Sequence, residues 1–274
     1  MIGPDLPTPR RVSPSYVEQL EERMSPRDRA VVETINLVRV ATGLQLERLC
    51  FAMLPPGRSR TVVRSRVLAR LVAARVLIAV GRRVGGDGRG STKAAYALDT
   101  AGQRLVKRWQ LAAGSLIRVR RAIAPGERSL QHLIAISELY AGLTEAIRPD
   151  DGEAIRFRTE PACWWPNATG GQLKPDAYAT LQRPGAVDHW WFEIDMATES
   201  LPTLRAKLAA YLDFARRDGH GPASVMPWVL VVTSTAARRD AVQRLLRSLP
   251  EAADVVRTIH ALDAASFVLQ ILRE

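Results

Sequence analysis

Residues His189 to Ser200 read HWWFEIDMATES. An apolar, aromatic run of this length is a buried strand, yet it carries Glu193 and Asp195 two residues apart. Strand side chains alternate, so both acids project from one face and Phe192, Ile194 and Met196 from the other. The strand before it, QLKPDAYATL, is joined to it by the turn QRPGAVD. With Pro184-Gly185 at the tip, Asp176 falls opposite Glu193, and directly opposed residues share a face. Three carboxylates gathered in this way repel one another unless one is protonated or a cation lies between them. A hard divalent ion with oxygen ligands, Mg²⁺ or Mn²⁺, held by Asp176, Glu193 and Asp195 is one solution. Pairing of Glu193 and Asp195 with Lys174, Arg158 or Lys207 as a structural ion network is the other.

The chain has 274 residues, room for two ordinary domains. An apolar content of 47% excludes disorder as the main state. No apolar run is long enough to span a membrane. The start, MIGPDLPTPRRVSPSY, lacks the apolar core of a signal peptide, so a cytoplasmic protein is expected. Cys50 and Cys163 are too far apart in sequence to suggest a zinc motif or a disulfide framework and read as reduced core thiols. The four histidines are scattered.

Charge divides the chain. Residues 1–128 hold 24 Lys+Arg against 10 Asp+Glu, a net of +14, whereas residues 129–274 hold 15 against 18, a net of −3. A basic half suggests polyanion binding. Arginine far outnumbers lysine and alanine is abundant, as in GC-rich genomes, so part of the excess carries no functional information.

Residues 1–24 read as a flexible leader with a short helical piece in SYVEQLEERM. A helix then opens with Ser25, Pro26 and Asp28, a capping sequence, and buries Val31, Ile35 and Val38. LQLERLCFAML is a second helix, stopped by Pro55-Pro56-Gly57. SRTVVRSRVLARLVAARVL is a third, with Val63, Val67 and Leu71 inward and Arg60, Arg64, Arg66 and Arg70 elsewhere. The strands VLIAVGRRV and KAAYALD follow, joined by GGDGRGST. Three helices and a hairpin with a basic tip form the winged helix-turn-helix order, over residues 25–113. Its third helix would enter the major groove of double-stranded DNA. Arg58, Arg60 and Arg64 near that helix start, and Arg82, Arg83 and Arg89 on the wing, are the expected DNA contacts. Residues 114–128 read as a linker, and 129–274 as a second domain of order α-β-β-β-α-β with an α-β-α extension. Its sheet is mixed, with helices packed on it. The overall class is α/β.

The Pro175-Asp176 dipeptide, the acidic strand and this order of elements resemble the PD-(D/E)XK nuclease superfamily. More narrowly, LKPDAYATL and FEIDMATESLPTLRAKLAAYLDF behind an N-terminal winged helix resemble the replication-relaxation family of actinobacterial and firmicute plasmids and mobile elements. The resemblance covers about residues 25–250. It implies a metal site at Asp176 and Glu193 and a lysine two residues after the Glu, where this chain has Asp195. It implies Lys207, on the following helix, as the substitute, and Glu138 as a further acid.

Two functions follow. The first is a DNA-binding protein of plasmid or mobile-element replication or transfer. Its second domain would cleave or nick a phosphodiester with Mg²⁺ or Mn²⁺ through Asp176, Glu193, Asp195 and Lys207. The alternative is a non-catalytic DNA-binding regulator or replication accessory factor with a degenerate nuclease fold. A second copy of the chain, or a replication or transfer protein, is the further partner to be expected. His189 reads as a surface residue at a strand start, and Trp190 and Trp191 as core residues. Glu199 reads as an acid favourably placed near a helix N-terminus.

Overall fold

The computed structural model describes residues 11–80, 94–114, 127–167, 169–249 and 251–274. It is a mixed α/β protein that packs as two compact units, 1–141 and 142–274. Among the described residues there are ten α-helices, a three-stranded antiparallel sheet and a five-stranded mixed sheet.

The first unit begins with α1 (Pro14–Arg23), capped by the Ser13 hydroxyl. This segment, expected as part of a flexible leader, is instead core. Val17 and Leu20, three residues apart, share one face of the helix and are buried, and Val12, just before the Ser13 cap, is buried with them. Helix α2 (Pro26–Val38) has the capping box expected of it: the Asp28 N–H donates to Ser25 Oγ at 3.2 Å, and the Ser25 N–H to Asp28 Oδ2 at 2.9 Å. Val31, Val32, Ile35 and Val38 are buried. Strand β1 (Ala41–Thr42) leads into α3 (Gly43–Cys50), which carries a second capping box from Thr42 and Gln45. Helix α4 (Arg58–Ala73) follows the PPG stop. Strands β2 (Leu77–Val80) and β3 (Ala95–Leu98) pair antiparallel, and β1 joins them in the order β1-β3-β2. The tip between β2 and β3, with Arg82, Arg83 and Arg89, lies outside the described residues.

Helix α5 (Thr100–Ala112) starts at the Asp99 cap. An added Cβ at Gly102 would lie 2.3 Å from the Val76 carbonyl oxygen, so glycine permits α5 to approach β2 this closely. On α5, Arg108 pairs with Glu18 and Glu21 of α1, and the Trp109 indole N–H donates to Glu21 at 2.8 Å. Helix α6 (Glu127–Ala146), expected as the first element of the second domain, crosses the division at Ala141/Gly142. Most of the expected linker, residues 115–126, lies outside the described residues.

The second unit contains strands β4 (Ala154–Thr159), β5 (Trp165–Pro166), β6 (Gln172–Leu173), β7 (Ala177–Arg183) and β8 (Ala186–Asp195). They are followed by α7 (Leu201–Arg216), β9 (Trp228–Thr233), α8 (Ala236–Arg247), α9 (Ala252–Val255), β10 (Val256–His260) and α10 (Ala264–Arg273). The sheet order is β10-β9-β8-β7-β4. Strands β4, β7 and β8 are antiparallel neighbours, while β8, β9 and β10 run parallel. Strands β5 and β6 form a separate small hairpin. The β7–β8 turn is the two-residue Pro184-Gly185, with Gly185 at φ 83°, a value that suits glycine. Ala177 pairs with Phe192 and Arg183 with Ala186, the register expected from the sequence.

Strand alternation divides the aromatic residues of β8 between two faces. Trp191 meets Tyr211 and Phe214 of α7. Trp190, on the other face, meets Trp228 and Phe267. Both indoles are fully buried, as expected for core residues.

Truncating an α1 core residue tests the corrected role of that helix. Leu20→Ala should cost about 2–3 kcal/mol, read from urea unfolding followed by far-ultraviolet circular dichroism. An unchanged midpoint would mean that α1 is not part of the core.

Candidate functional site

Two sets of residues were expected to carry function: the arginines of α4 and the acids of β7 and β8.

Burial divides the α4 arginines. Arg64 is 1% exposed. Its Nη1 donates to Glu47 Oε2 of α3 at 2.7 Å, and its Nη2 has no hydrogen-bond partner among the described residues. A side chain held in this way is not presented to DNA, which corrects the expectation for Arg64. Arg60 donates from Nε to the Leu54 carbonyl at 2.9 Å and from Nη2 to Ala52 O at 3.2 Å. It fastens the turn before its own helix, so it too has a structural role. Arg70 pairs with the buried Asp28. The outward face is Arg58, Ser59, Val62, Arg66 and Ala69, all exposed. Arg58 therefore keeps its expected position. Arg66 replaces Arg60 and Arg64 as the second outward cation. The first turn of α4 has no side-chain cap, only Gly57 at φ 117°. Its free N–H groups and the helix dipole favour an anion there.

The buried stripe of α4 is Arg64, Leu68 and Leu71, with Val63 and Val67 half-buried. It is turned by about one residue, roughly 100°, from the stripe that apolar spacing suggested. Nothing local to α4 announces this, because the partner of Arg64 is Glu47, 17 residues earlier.

At the other candidate site, the β7–β8 ladder ends at Ala177–Phe192 and Asp176 lies one residue beyond it. The Asp176 N–H donates to Phe192 O at 2.9 Å, and its Oδ2 accepts the Ile194 N–H at 2.8 Å. Asp176 and Glu193 are thus brought together as expected. Glu193 is 2% exposed. Its Oε2 accepts from Lys207 Nζ at 2.8 Å, and its Oε1 from the Tyr211 hydroxyl. Lys207 and Tyr211 lie four residues apart on α7, which puts them on one helix face.

Burial, reinforced by the charge of Asp176, pushes the Glu193 carboxyl up to about 7, against the opposing effects of Lys207 and Tyr211. Burial pushes the Lys207 ammonium down, but Glu193 outweighs it, and Asp176 and Glu199 add to that, so Lys207 is held above its ordinary value. Burial and the nearby Glu193 raise the Tyr211 hydroxyl well above its usual range.

Asp195 does not join this group. Its Oδ2 accepts from Arg238 Nε at 2.8 Å and its Oδ1 from the Ala197 N–H at 2.7 Å. The cause is the parallel crossover: β8 and β9 end side by side at Asp195–Thr233, and α8 begins just beyond β9, with Arg238 in its first turn. Among the described residues, no group of three or more His, Cys, Asp or Glu side chains is placed to hold a metal ion. The three-carboxylate set expected from alternation is therefore not assembled. The repulsion that called for a divalent ion is met instead by Lys207 on Glu193 and Arg238 on Asp195.

The remaining candidates are dispersed. Glu138 pairs with Arg48 and accepts from Gln45 Nε2 at 2.9 Å, within the first unit. Lys174 lies over the Trp164 ring, 5.0 Å from its centroid. His189 Nδ1 bonds the Tyr178 hydroxyl. Glu199 immediately precedes the Ser200 cap of α7 and is 3.9 Å from Lys207. Cys50 and Cys163 are both free thiols. Arg238 went unnoticed in the sequence; the signal was a basic residue in the first turn after a strand parallel to β8.

These features define a two-unit α/β protein: a basic helical unit with a small sheet, and a mixed-sheet unit with an acid–lysine cluster at one end. The chain matches the replication-relaxation family over residues 32–230 and belongs to it. The matched span contains α4, Asp176, Glu193, Asp195 and Lys207 and stops before Arg238. No curated protein and no solved structure matches the chain. No helix among the described residues is long and apolar enough to cross a membrane.

The raised Glu193 carboxyl has a pH signature. Between about 4.5 and 7 the native state keeps a proton that the unfolded chain has lost, so stability falls as pH rises through this window. Glu193→Gln should flatten that fall, measured as urea midpoints from pH 4.5 to 7.5. The same slope in both proteins would contradict the raised value.

Proposed function

We propose that the protein is a DNA-binding factor of plasmid replication whose second unit is non-catalytic. Membership of the replication-relaxation family suggests the plasmid-replication role. The observation that carries the DNA reading is the outward face of α4. It presents Arg58, Ser59, Val62 and Arg66 beside an uncapped helix N-terminus, on a half of the chain with net charge +14 (24 basic against 10 acidic residues). In a winged helix-turn-helix this helix enters the major groove, and its early residues face the base edges. Arginine is the commonest reader of guanine there. The non-catalytic reading of the second unit is supported by the cations that already engage Glu193 and Asp195.

Arg58→Gln/Arg66→Gln should weaken duplex binding at least tenfold at moderate salt and leave the melting temperature unchanged. Arg64→Ala should instead cost about 3 kcal/mol of stability, because it leaves Glu47 without its buried partner. Fluorescence anisotropy with labelled duplex and thermal melts measure both. If Arg58 and Arg66 can be replaced without loss of affinity, α4 is not the recognition helix.

A second reading, a metal-dependent endonuclease, is favoured by one observation: Asp176 lies one residue beyond the Ala177–Phe192 pair, with its Oδ2 accepting the N–H of Ile194, the neighbour of Glu193. Mg²⁺ is often held by one or two carboxylates with several waters, and Asp176 and Glu193 are the residues that would hold it or Mn²⁺. The donor set does not fit as it stands, since Lys207 and Tyr211 engage both oxygens of Glu193. The non-catalytic reading predicts no effect of Mn²⁺ on the melting temperature. A rise of several degrees that Asp176→Asn abolishes would establish the metal site instead.

A further inference from the structure

The strand registers fix which residues share the α7 face of the five-stranded sheet. Arg156 pairs with Thr180 and Arg158 with Tyr178, and Thr180 pairs in turn with His189 and Tyr178 with Trp191. Ala154, Gln182 and Val187 lie on the same face by alternation. Helix α7 covers the Trp191 end, where Tyr178 and Trp191 are buried with Tyr211 and Phe214. The other end is open. Arg156, Arg158 and Gln182 are exposed, Val187 is 50% exposed, and Thr180 and His189 are half-buried.

A sheet layer normally buries both faces or turns one toward water. Here one face does both, and its open part is basic. Arg156 and Arg158 lie two residues apart on the edge strand β4, about 6.6 Å along it. Among the described residues, neither makes a hydrogen bond or an ion pair. Beside them the Tyr178 hydroxyl bonds His189 Nδ1, and the Thr180 hydroxyl donates to the Tyr178 hydroxyl at 3.2 Å. The His189 and Tyr178 rings are stacked, with centroids 6.1 Å apart. The open half-face therefore offers two unpaired guanidinium groups next to neutral hydrogen-bonding groups. This is a local feature, for residues 129–274 together carry a net charge of −3 (15 basic against 18 acidic).

We propose that this half-face is a second DNA-contact surface, on which Arg156 and Arg158 each engage a phosphate of double-stranded DNA. The proposal rests on the DNA-binding reading given above and adds a contact in the second unit. The exposed guanidinium groups complement the negative charge of a phosphate backbone. Phosphate contacts come mostly from arginine, lysine and neutral hydrogen-bonding side chains, and they position a protein without reading sequence. Arginine matches a phosphate through two parallel N–H bonds. The competing explanation is that charges on an edge strand only discourage strand-to-strand aggregation. It assigns no role to the partnered His189, Tyr178 and Thr180 groups beside them.

The two explanations differ in salt dependence. Each neutralised phosphate contributes about 0.9 to the slope of log K against log salt. Arg156→Gln/Arg158→Gln in the full chain should lower that slope by about 1.8, equally for different duplex sequences. Arg156→Lys/Arg158→Lys should restore most of it, since the charge remains. Arg58→Gln/Arg66→Gln, measured in parallel, reports on α4 alone. Loss of affinity in the α4 variant with an unchanged slope in the Gln pair overturns this proposal and leaves the DNA reading standing. That result, with aggregation of the Gln pair, would mark the arginines as edge protection. A wild-type chain that binds no duplex at all overturns both. Melting temperatures of each variant equal to wild type exclude unfolding as the cause of a lowered slope.

Discussion

The second unit is organised around a carboxyl group that the fold takes out of water. Glu193 lies near the end of β8, in the layer between the sheet and α7, and is 2% exposed. Burying a carboxylate is unfavourable unless it is neutralised or hydrogen-bonded. Lys207 and Tyr211 supply both, one turn apart on α7. Two residues on, Asp195 is held by Arg238 of α8. The two acids of FEID therefore fasten the two helices that follow the central strands. Buried pairs of this kind add little net stability over a well-packed apolar alternative, but removing one partner alone is costly. We read them as fixing the registers of α7 and α8 on the sheet.

The same logic runs through the basic half. Arginines there do two kinds of work, separated by burial. Arg64 is buried against Glu47, Arg70 pairs with Asp28, and Arg60 fastens the turn that sets the start of α4. These hold α4 in place. Arg58 and Arg66 face outward from that helix. A high arginine count alone does not distinguish the two groups, and neither does helical spacing, since Arg60 and Arg64 are one turn apart and look like a surface pair.

Much of the architecture was legible because local signals agreed with one another. The Ser25–Asp28 capping box, the α2 stripe and the Pro184-Gly185 turn each depend on residues close in sequence, and each is found as expected. Correct turn geometry gave the correct β7–β8 register, and so the approach of Asp176 to Glu193. Readings that depended on distant residues did less well. The diversion of Asp195 to Arg238 requires the parallel pairing of β8 with β9, 43 residues apart in the chain for that ion pair. The burial of Arg64 requires Glu47. Residues 1–24 read as a flexible leader with a short helical piece, yet Val12, Val17 and Leu20 are buried. Alternation correctly placed Glu193 and Asp195 on one face; it could not show that each meets a different cation there.

The central claim is that organic cations, Lys207 foremost, compensate the acids of β8. A double-mutant cycle on Glu193→Gln and Lys207→Met measures this directly, because it isolates the pairwise interaction from the effect of each change alone. The account predicts a coupling of about 1–3 kcal/mol in urea unfolding at pH 8, where Glu193 is ionised. Additive effects, with a coupling near zero, would contradict it: Lys207 would then not be what keeps the Glu193 charge inside the protein.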